Sequence, residues 1–230
     1  MAVLDLTSTG WSEYDEAGNI AISGTGNEIV TGTDVSRLIT EQCYIRRDYG
    51  SGYFGDISPG HKFKIRRTAH LSYGIYCALS YSNFIGDDLE TGYGIASKNL
   101  LTLLFVGNAA PQFQIASSHG TGTLHTDTSI TLSDSTDYWP LLTRSGATAT
   151  AVIYDDEAQT SDVDTIQVTE DSAVTYQYLW ASSSWADGPT GKTMSVVAAD
   201  YDLQEGAGGA TGKSNPLYGS LGGPLSGVIG

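Results

Sequence analysis

Basic residues are scarce in this chain. Lysine and arginine number 11 against 26 aspartates and glutamates, a formal net charge of −15. Such a charge repels nucleic-acid backbones and anionic lipid surfaces, so neither is an expected partner. Long apolar runs are missing too. The longest, Leu100 to Val106, is broken by Thr102 and falls far short of the roughly 18 residues that cross a bilayer. It reads as a strand buried on both faces. Met1 to Thr9 has neither a basic start nor a long apolar stretch, and is not read as a secretory signal. Cysteine is limited to Cys43 and Cys77. They suffice for one bridge, which sequence alone leaves open; two reduced thiols are the expectation, Cys77 lying in an apolar strand-like run.

Several catalytic signatures are absent. There is no Gly-x-Ser-x-Gly elbow, no phosphate-cradling Gly-x-x-x-x-Gly-Lys-Ser/Thr, and no Cys/His cluster with zinc spacing. Glycosidases need two carboxylates flanking the scissile bond, and a Glu-x-Asp-x-Glu strand supplies them on one sheet face. The nearest string is Glu13-Tyr14-Asp15-Glu16-Ala17, in which the last glutamate is out of register. It reads as a solvated acidic loop. His119 and His125, on a Gly/Thr-rich stretch, read as surface side chains rather than ligands.

What is present is period-2 alternation. Phe63 and Ile65 face one way on His61–Arg67, and Lys62, Lys64 and Arg66 the other. On Tyr73–Tyr81 one face takes Ile75, Cys77, Leu79 and Tyr81, the other Tyr76, Ala78 and Ser80. Thr148–Tyr154 and Val174–Ala181 alternate as well, the latter with Tyr176, Tyr178 and Trp180 on one side. Shorter strands are expected at Ile20–Ser23, Gln112–Ala116, Ser129–Leu132, Thr165–Thr169 and Thr193–Tyr201, and a short helical turn at Thr33–Leu38. Turn clusters separate these runs, notably Gly24–Asn27, Asp48–Gly55, Ser145-Gly146 and Asp187-Gly188-Pro189. The pattern points to an all-β sandwich, and 230 residues suit one large domain of that class. The domain is assigned to residues 1–204. Residues 205–230 form a Gly-rich C-terminal segment whose apolar side chains, Leu217, Tyr218, Leu221, Leu225, Val228 and Ile229, suit an arm that orders against a partner.

Candidate binding residues fall into three groups. Tyr49, Tyr53, Trp139 and Trp185 offer ring faces on which sugars stack. Lys62, Lys64 and Arg66 form a basic sheet face able to dock an acidic partner. Acidic turns at Asp87-Asp88, at Asp134 with Asp137, and at Asp155-Asp156-Glu157 offer oxygen ligands, with calcium as the cation they suit and no other cofactor implied.

Three segments carry a resemblance: Arg47-Asp48-Tyr49-Gly50-Ser51-Gly52-Tyr53-Phe54-Gly55-Asp56, Tyr138-Trp139-Pro140-Leu141-Leu142-Thr143-Arg144-Ser145-Gly146, and Tyr176-Gln177-Tyr178-Leu179-Trp180-Ala181-Ser182-Ser183, with Ala198–Leu203 as a closing stretch. In that order they resemble concanavalin A-like, laminin-G-like jelly-roll domains of phage and environmental viral structural proteins. The resemblance spans about Tyr14 to Leu203 and implies an antiparallel two-sheet jelly-roll sandwich. It departs from the pattern at Pro140, whose strand should be irregular or at an edge. It further implies a non-enzymatic virion structural protein on the capsid exterior, a decoration or accessory component docked through the arm and a sheet face. Its expected partners are other virion proteins and copies of itself. The alternative is a carbohydrate-binding, lectin-like module, with a glycoside hydrolase behind it. No catalytic residues carry over.

Overall fold

Alternating side chains let each strand bury one face, and the chain turns this into two packed antiparallel sheets. A computed structural model describes residues 4–15, 18–23, 28–30, 35–36, 43–71, 74–85, 98–107, 110–120, 123–184 and 193–204. Its strands are β1 (Trp11–Asp15), β2 (Ala21–Ile22), β3 (Glu28–Val30), β4 (Val35–Ser36), β5 (Cys43–Asp48), β6 (Ile57–Leu71), β7 (Gly74–Ser82), β8 (Leu100–Gly107), β9 (Gln112–His119), β10 (Thr123–Thr128), β11 (Trp139–Ser145), β12 (Thr148–Tyr154), β13 (Asp162–Thr169), β14 (Tyr178–Ser184) and β15 (Thr193–Asp202). Among the described residues there is no helix. One sheet runs β1-β5-β14-β7-β8-β9-β10; the other runs β13-β12-β11-β6-β15-β3-β2, with β4 also on β15. This is an antiparallel jelly-roll sandwich.

The core lies between the sheets. Ile45, Leu79, Leu103, Phe105, Phe113 and Ile115 enter it from the seven-stranded sheet, and Phe63, Ile65, Leu142, Ile153, Ile166 and Val196 from the other. Phe63 stacks on Tyr201 at 5.1 Å. β12 alternates as its sequence does, Ala149, Ala151 and Ile153 being buried. β8 is buried on both faces: Leu101, Leu103 and Phe105 join the inter-sheet core, and Leu100, Leu104 and Val106 a second cluster on the outer face. Cys43 and Cys77, both buried, are not disulfide-bonded to each other, and they belong to different clusters.

Two bulges change which side chains face in. Ala78 is an extra residue in β7 against β8, between the pairs Cys77↔Leu104 and Leu79↔Leu103. Ala181 is the equivalent in β14 against β5, between Trp180↔Arg46 and Ser182↔Ile45. The single alternation expected over Tyr73–Tyr81 is therefore wrong. Tyr76 and Ala78 share the core with Leu79 and Tyr81, while Ile75 and Cys77 face outward. Tyr176, Tyr178 and Trp180 also do not share a side. Tyr176 precedes β14, bridges to Phe54 and points into the core; Tyr178 and Trp180 lie on the outer face.

Other expectations shift as well. Glu13-Tyr14-Asp15 is strand β1, not a loop. Ser129–Leu132 is irregular, because the Ser129 hydroxyl bonds to Phe113 N and Ile130 O; the strand is β10, just before it. Val35 and Ser36 pair with β15 rather than forming a helical turn, and the rest of Thr33–Leu38 lies outside the described residues. β11 lies inside its sheet. At Pro140, which lacks an N–H, its ladder with β6 is interrupted between the pairs Ile65↔Tyr138 and Leu141↔Lys62.

The edge strands β10 and β13 close one side of the sandwich with reciprocal carboxylates. Asp127 of β10 accepts the Gln167 N–H at 2.9 Å. Asp164 of β13 accepts the Ile130 N–H at 2.6 Å. Each acid satisfies a donor that an exposed edge would otherwise offer to another chain.

Candidate functional site

The outer face of the seven-stranded sheet carries a row of rings. Register sets it: Tyr14 opposes Tyr44 across β1 and β5, and Arg46 opposes Trp180 across β5 and β14. Tyr14 and Tyr44 stack at 5.5 Å and 20°. Tyr44 meets Trp180 edge-on at 5.5 Å. The Arg46 guanidinium lies 4.4 Å above the Tyr44 ring and 4.9 Å from the Trp180 ring, within cation–π range. Trp180 is fully buried and donates from Nε1 to Ser82 Oγ at 2.9 Å. Tyr14, at the sheet edge, is 40% exposed. The row thus runs from a fixed interior anchor to an open ring face.

Polar groups flank it. Gln177 Nε2 lies 3.0 and 3.1 Å from the two Asp48 carboxylate oxygens and 3.0 Å from Tyr178 Oη. Burial, then the Asp48 charge, push the Tyr178 hydroxyl up, so it stays a neutral donor at physiological pH. Toward the sheet centre, Ser80 and Thr102 hydroxyls bond at 2.5 Å among buried apolar side chains. Chemically the edge offers an apolar ring face beside a cation, a carboxylate and an amide. That combination has the chemistry to stack on, and hydrogen-bond to, a polyhydroxylated ring. Among the described residues, Asp48 is the one carboxylate that strand register places on this face. Glu13 and Asp15 share the register of the inward-facing Ile45 and Cys43, and Asp15 caps Asn19 N and Ile20 N at 2.7 and 2.9 Å. Among the described residues, no pair of carboxylates of the kind glycoside hydrolysis uses is assembled there.

The sequence-named residues do not converge. Tyr49 and Tyr53 pack 4.8 Å apart, each about as close to Phe54, and lie half-buried against the core. Trp139 faces outward on the other sheet, opposite Tyr154. Trp185, Asp87, Asp88 and all of 205–230, including Leu217, Tyr218, Leu221, Leu225, Val228 and Ile229, lie outside the described residues. On the basic strand, Lys64 lies 3.8 Å from Asp200 and Arg66 3.5 Å from Asp137. Arg67 is fully buried and pairs with Asp134 at 2.5 Å, a hydrogen bond that holds the Asp134 carboxyl below its usual range. Asp156 accepts Ser161 N and Thr160 N at 2.9 Å and Thr160 Oγ1 at 2.8 Å, so it closes the β12–β13 turn; these bonds lower its pKa. Asp155 N bonds Ser161 O across the same turn. His119 reaches Ser172 Oγ at 3.1 Å and His125 reaches Asp171 at 3.2 Å. Among the described residues no three His, Cys, Asp or Glu side chains group as a metal site.

A buried network joins the three resemblance segments. Arg144 donates to Glu170 at 2.7 Å, to Gly55 O at 2.8 Å and to Val174 O at 2.7 Å. Tyr176 donates to the other Glu170 oxygen, and its backbone bridges Phe54. Sequence reasoning did not bring Tyr14, Tyr44, Arg46 and Glu170 into a site. The first was hidden in an acidic string and the next two in an unassigned strand, whose Cys-Tyr-Ile-Arg alternation was the available signal.

No family model matches the chain, and no curated protein matches it by sequence. Solved structures do. A prokaryotic beta-1,3-1,4-glucanase (lichenase) from a mouse hindgut metagenome is similar with a TM-score of 0.52 and 12% identity, over 88% of this chain and 97% of that one. A functionally unknown protein from Saccharomyces cerevisiae gives 0.51 and 10%, over 86% and 97%. A carbohydrate binding module from Bacillus subtilis gives 0.47 and 12%, over 85% and 95%. At such identities the two matches above 0.5 show the fold alone, an antiparallel two-sheet jelly-roll sandwich.

Proposed function

We propose that this chain is a non-enzymatic virion structural protein, a capsid decoration or accessory component on the particle exterior, docked through residues 205–230 and a sheet face. One observation carries the reading. The segments that resemble phage and viral jelly-roll domains meet in a single buried unit, built on Arg144, Glu170, Tyr176 and Phe54. The likeness therefore concerns residues that build the domain rather than scattered surface texture. Acidic, edge-protected sandwiches also suit crowding on a lattice without adventitious strand pairing. Quantitative mass spectrometry of purified particles tests it: a fixed stoichiometry relative to the shell protein is expected, and consistent absence overturns it.

A second reading, a carbohydrate-binding module, is favoured by the Tyr14–Tyr44 stack with Arg46 and Asp48 beside it. A glycan array probed with the full chain and with Tyr14→Ala tests that reading. Binding that falls about threefold to tenfold in the variant supports it, since a stacked ring is worth about 0.5–1.5 kcal/mol. No hit on a broad array, with or without calcium, ends it.

A further inference from the structure

The outer face of the eight-stranded sheet is apolar at one end. Strand register builds that end: Trp139 opposes Tyr154, and Leu141 opposes Val152, across β11 and β12. All four side chains are half-buried. They belong to neither buried cluster, nor to the apolar residues packed against those clusters. Leu142, Ala151 and Ile153, which alternate with them, point into the core, so the block stands on a packed layer. Further along the same strands the face turns polar, with Thr143 opposite Thr150 and Thr150 opposite Gln167. The cations beside the block have acidic neighbours. Lys64 lies 3.8 Å from Asp200 and Arg66 3.5 Å from Asp137. Lys62 sits in register between Leu141 and Asp202. Such a surface suits an apolar occupant of little charge better than an acidic one.

One segment of this chain has that chemistry, and it begins beside this face. β15 ends at Asp202. Asp202 opposes Lys62, Lys62 opposes Leu141, and Leu141 opposes Val152. Asp202 and Val152 are thus three strand spacings apart, about 14 Å. Twelve residues, Glu205 to Pro216, precede the first large apolar side chain of the C-terminal segment, Leu217, and four of them are glycine. A Gly-rich chain of that length spans about 17–21 Å. Its reach therefore matches the distance to the block. At such a match a tethered segment meets its seat at roughly millimolar effective concentration, above that of a second copy in micromolar solution. From Leu217 to Ile229 the segment carries six large apolar side chains and no charge. We propose that residues 217–229 seat on Trp139, Leu141, Val152 and Tyr154 of their own chain. The contact deepens the docking part of the reading above and rests on it only for naming a segment and a sheet face as the docking elements. In the free protein each element covers the other, and a partner engages them by displacing one.

Paramagnetic relaxation on the full chain tests this. A nitroxide is attached through Ser220→Cys; Cys43 and Cys77 are buried and stay unlabelled. The amide signals of Trp139, Leu141, Val152 and Tyr154 should broaden, and should stay broad on about tenfold dilution, as a tethered contact requires. Isotope-labelled chains without the nitroxide, mixed with unlabelled chains that carry it, should keep those signals sharp. Leu217→Ser with Leu221→Ser, both outside the sandwich, should reduce the broadening about threefold or more. Val152→Thr, of similar shape, should reduce it too, with the core amides of Ile45 and Phe113 unmoved. Broadening seen only in the mixed sample, broadening confined to Tyr14 and Tyr44, broadening indifferent to the segment variant, or none at all overturns the proposal. The particle assay separates the two readings. A chain absent from particles but still broadened ends the virion reading alone. A chain present at fixed stoichiometry but not broadened ends the seat alone.

Discussion

The Tyr201 hydroxyl sits 2.5 Å from the Ala181 carbonyl and 3.0 Å from the Ala78 carbonyl. Both alanines are bulge residues. A bulge releases backbone groups from the ladder, and in a buried layer those groups need another partner. Tyr201 provides it from the opposite sheet, so one hydroxyl welds β15 to β7 and β14. Burial raises the Tyr201 pKa well above its ordinary value, keeping the proton available to donate. Tyr201→Phe keeps the ring on Phe63 and removes that proton. It should cost about 1–3 kcal/mol, the range for a buried polar group left unpaired. Urea unfolding checks this, and an unchanged midpoint would mean the carbonyls find another donor.

The Arg144–Glu170 ion pair should be costlier to break. Both side chains are essentially fully buried. Arg144→Met leaves the Glu170 carboxylate held by the Tyr176 hydroxyl without the guanidinium charge. Removing one partner of such a pair costs about 3–5 kcal/mol. The double change Arg144→Met with Glu170→Leu should cost less than the sum of the single changes, because no stranded charge remains. A double-mutant cycle from denaturant midpoints measures the coupling.

Part of this architecture was legible in the residues. β12 and β8 follow from alternation and from a short apolar run, because their sequences obey one rule from end to end. β7 and β14 do not. One inserted residue shifts the parity of everything beyond it, and the Tyr201 contact that tolerates the Ala78 bulge lies 123 residues away. β10, Thr123–Thr128, has a single apolar side chain and is held as a strand by pairing with β9. β5 was masked by Arg46-Arg47 and the turn signal after it. The site inherits these losses. Trp180, expected on one side with Tyr176 and Tyr178, is fully buried yet lies on the outer face as the anchor of the ring row.

Stability should fall with acid through His61. Its Nδ1 lies 2.5 Å from Tyr81 Oη inside the core, and burial lowers its pKa to about 3. The unfolded chain protonates this residue near the ordinary value of about 6.5. Between those limits the unfolded state binds one more proton than the folded state. The stabilisation is therefore whole above pH 6.5 and drains as pH falls toward 3, at up to about 1.4 kcal/mol per pH unit. Denaturant unfolding at pH 7, 5.5 and 4.5 should show the slope. His61→Gln, destabilised at pH 7, should lose one proton's worth of it, and an equal slope in the variant would place the dependence elsewhere.

The C-terminal segment is the proposed docking arm. Residues 205–230 hold six large apolar side chains, Leu217, Tyr218, Leu221, Leu225, Val228 and Ile229, and a single charge, Lys213, among the side chains after Glu205. Such a segment buries too little to fold alone, and its apolar residues gain only by packing on another surface. The sandwich that precedes it has its own core and one side closed by Asp127 and Asp164. A chain ending at Leu203 should therefore remain folded. If the segment drives self-association, light scattering after size exclusion gives a discrete oligomer for the full chain and a monomer for the shortened one. Two monomers would exclude self-association through the segment, leaving either docking on a foreign lattice or a free lectin-like module. Two identical oligomers would move the contact onto the sandwich itself, where the exposed edge around Tyr14 becomes the first surface to substitute.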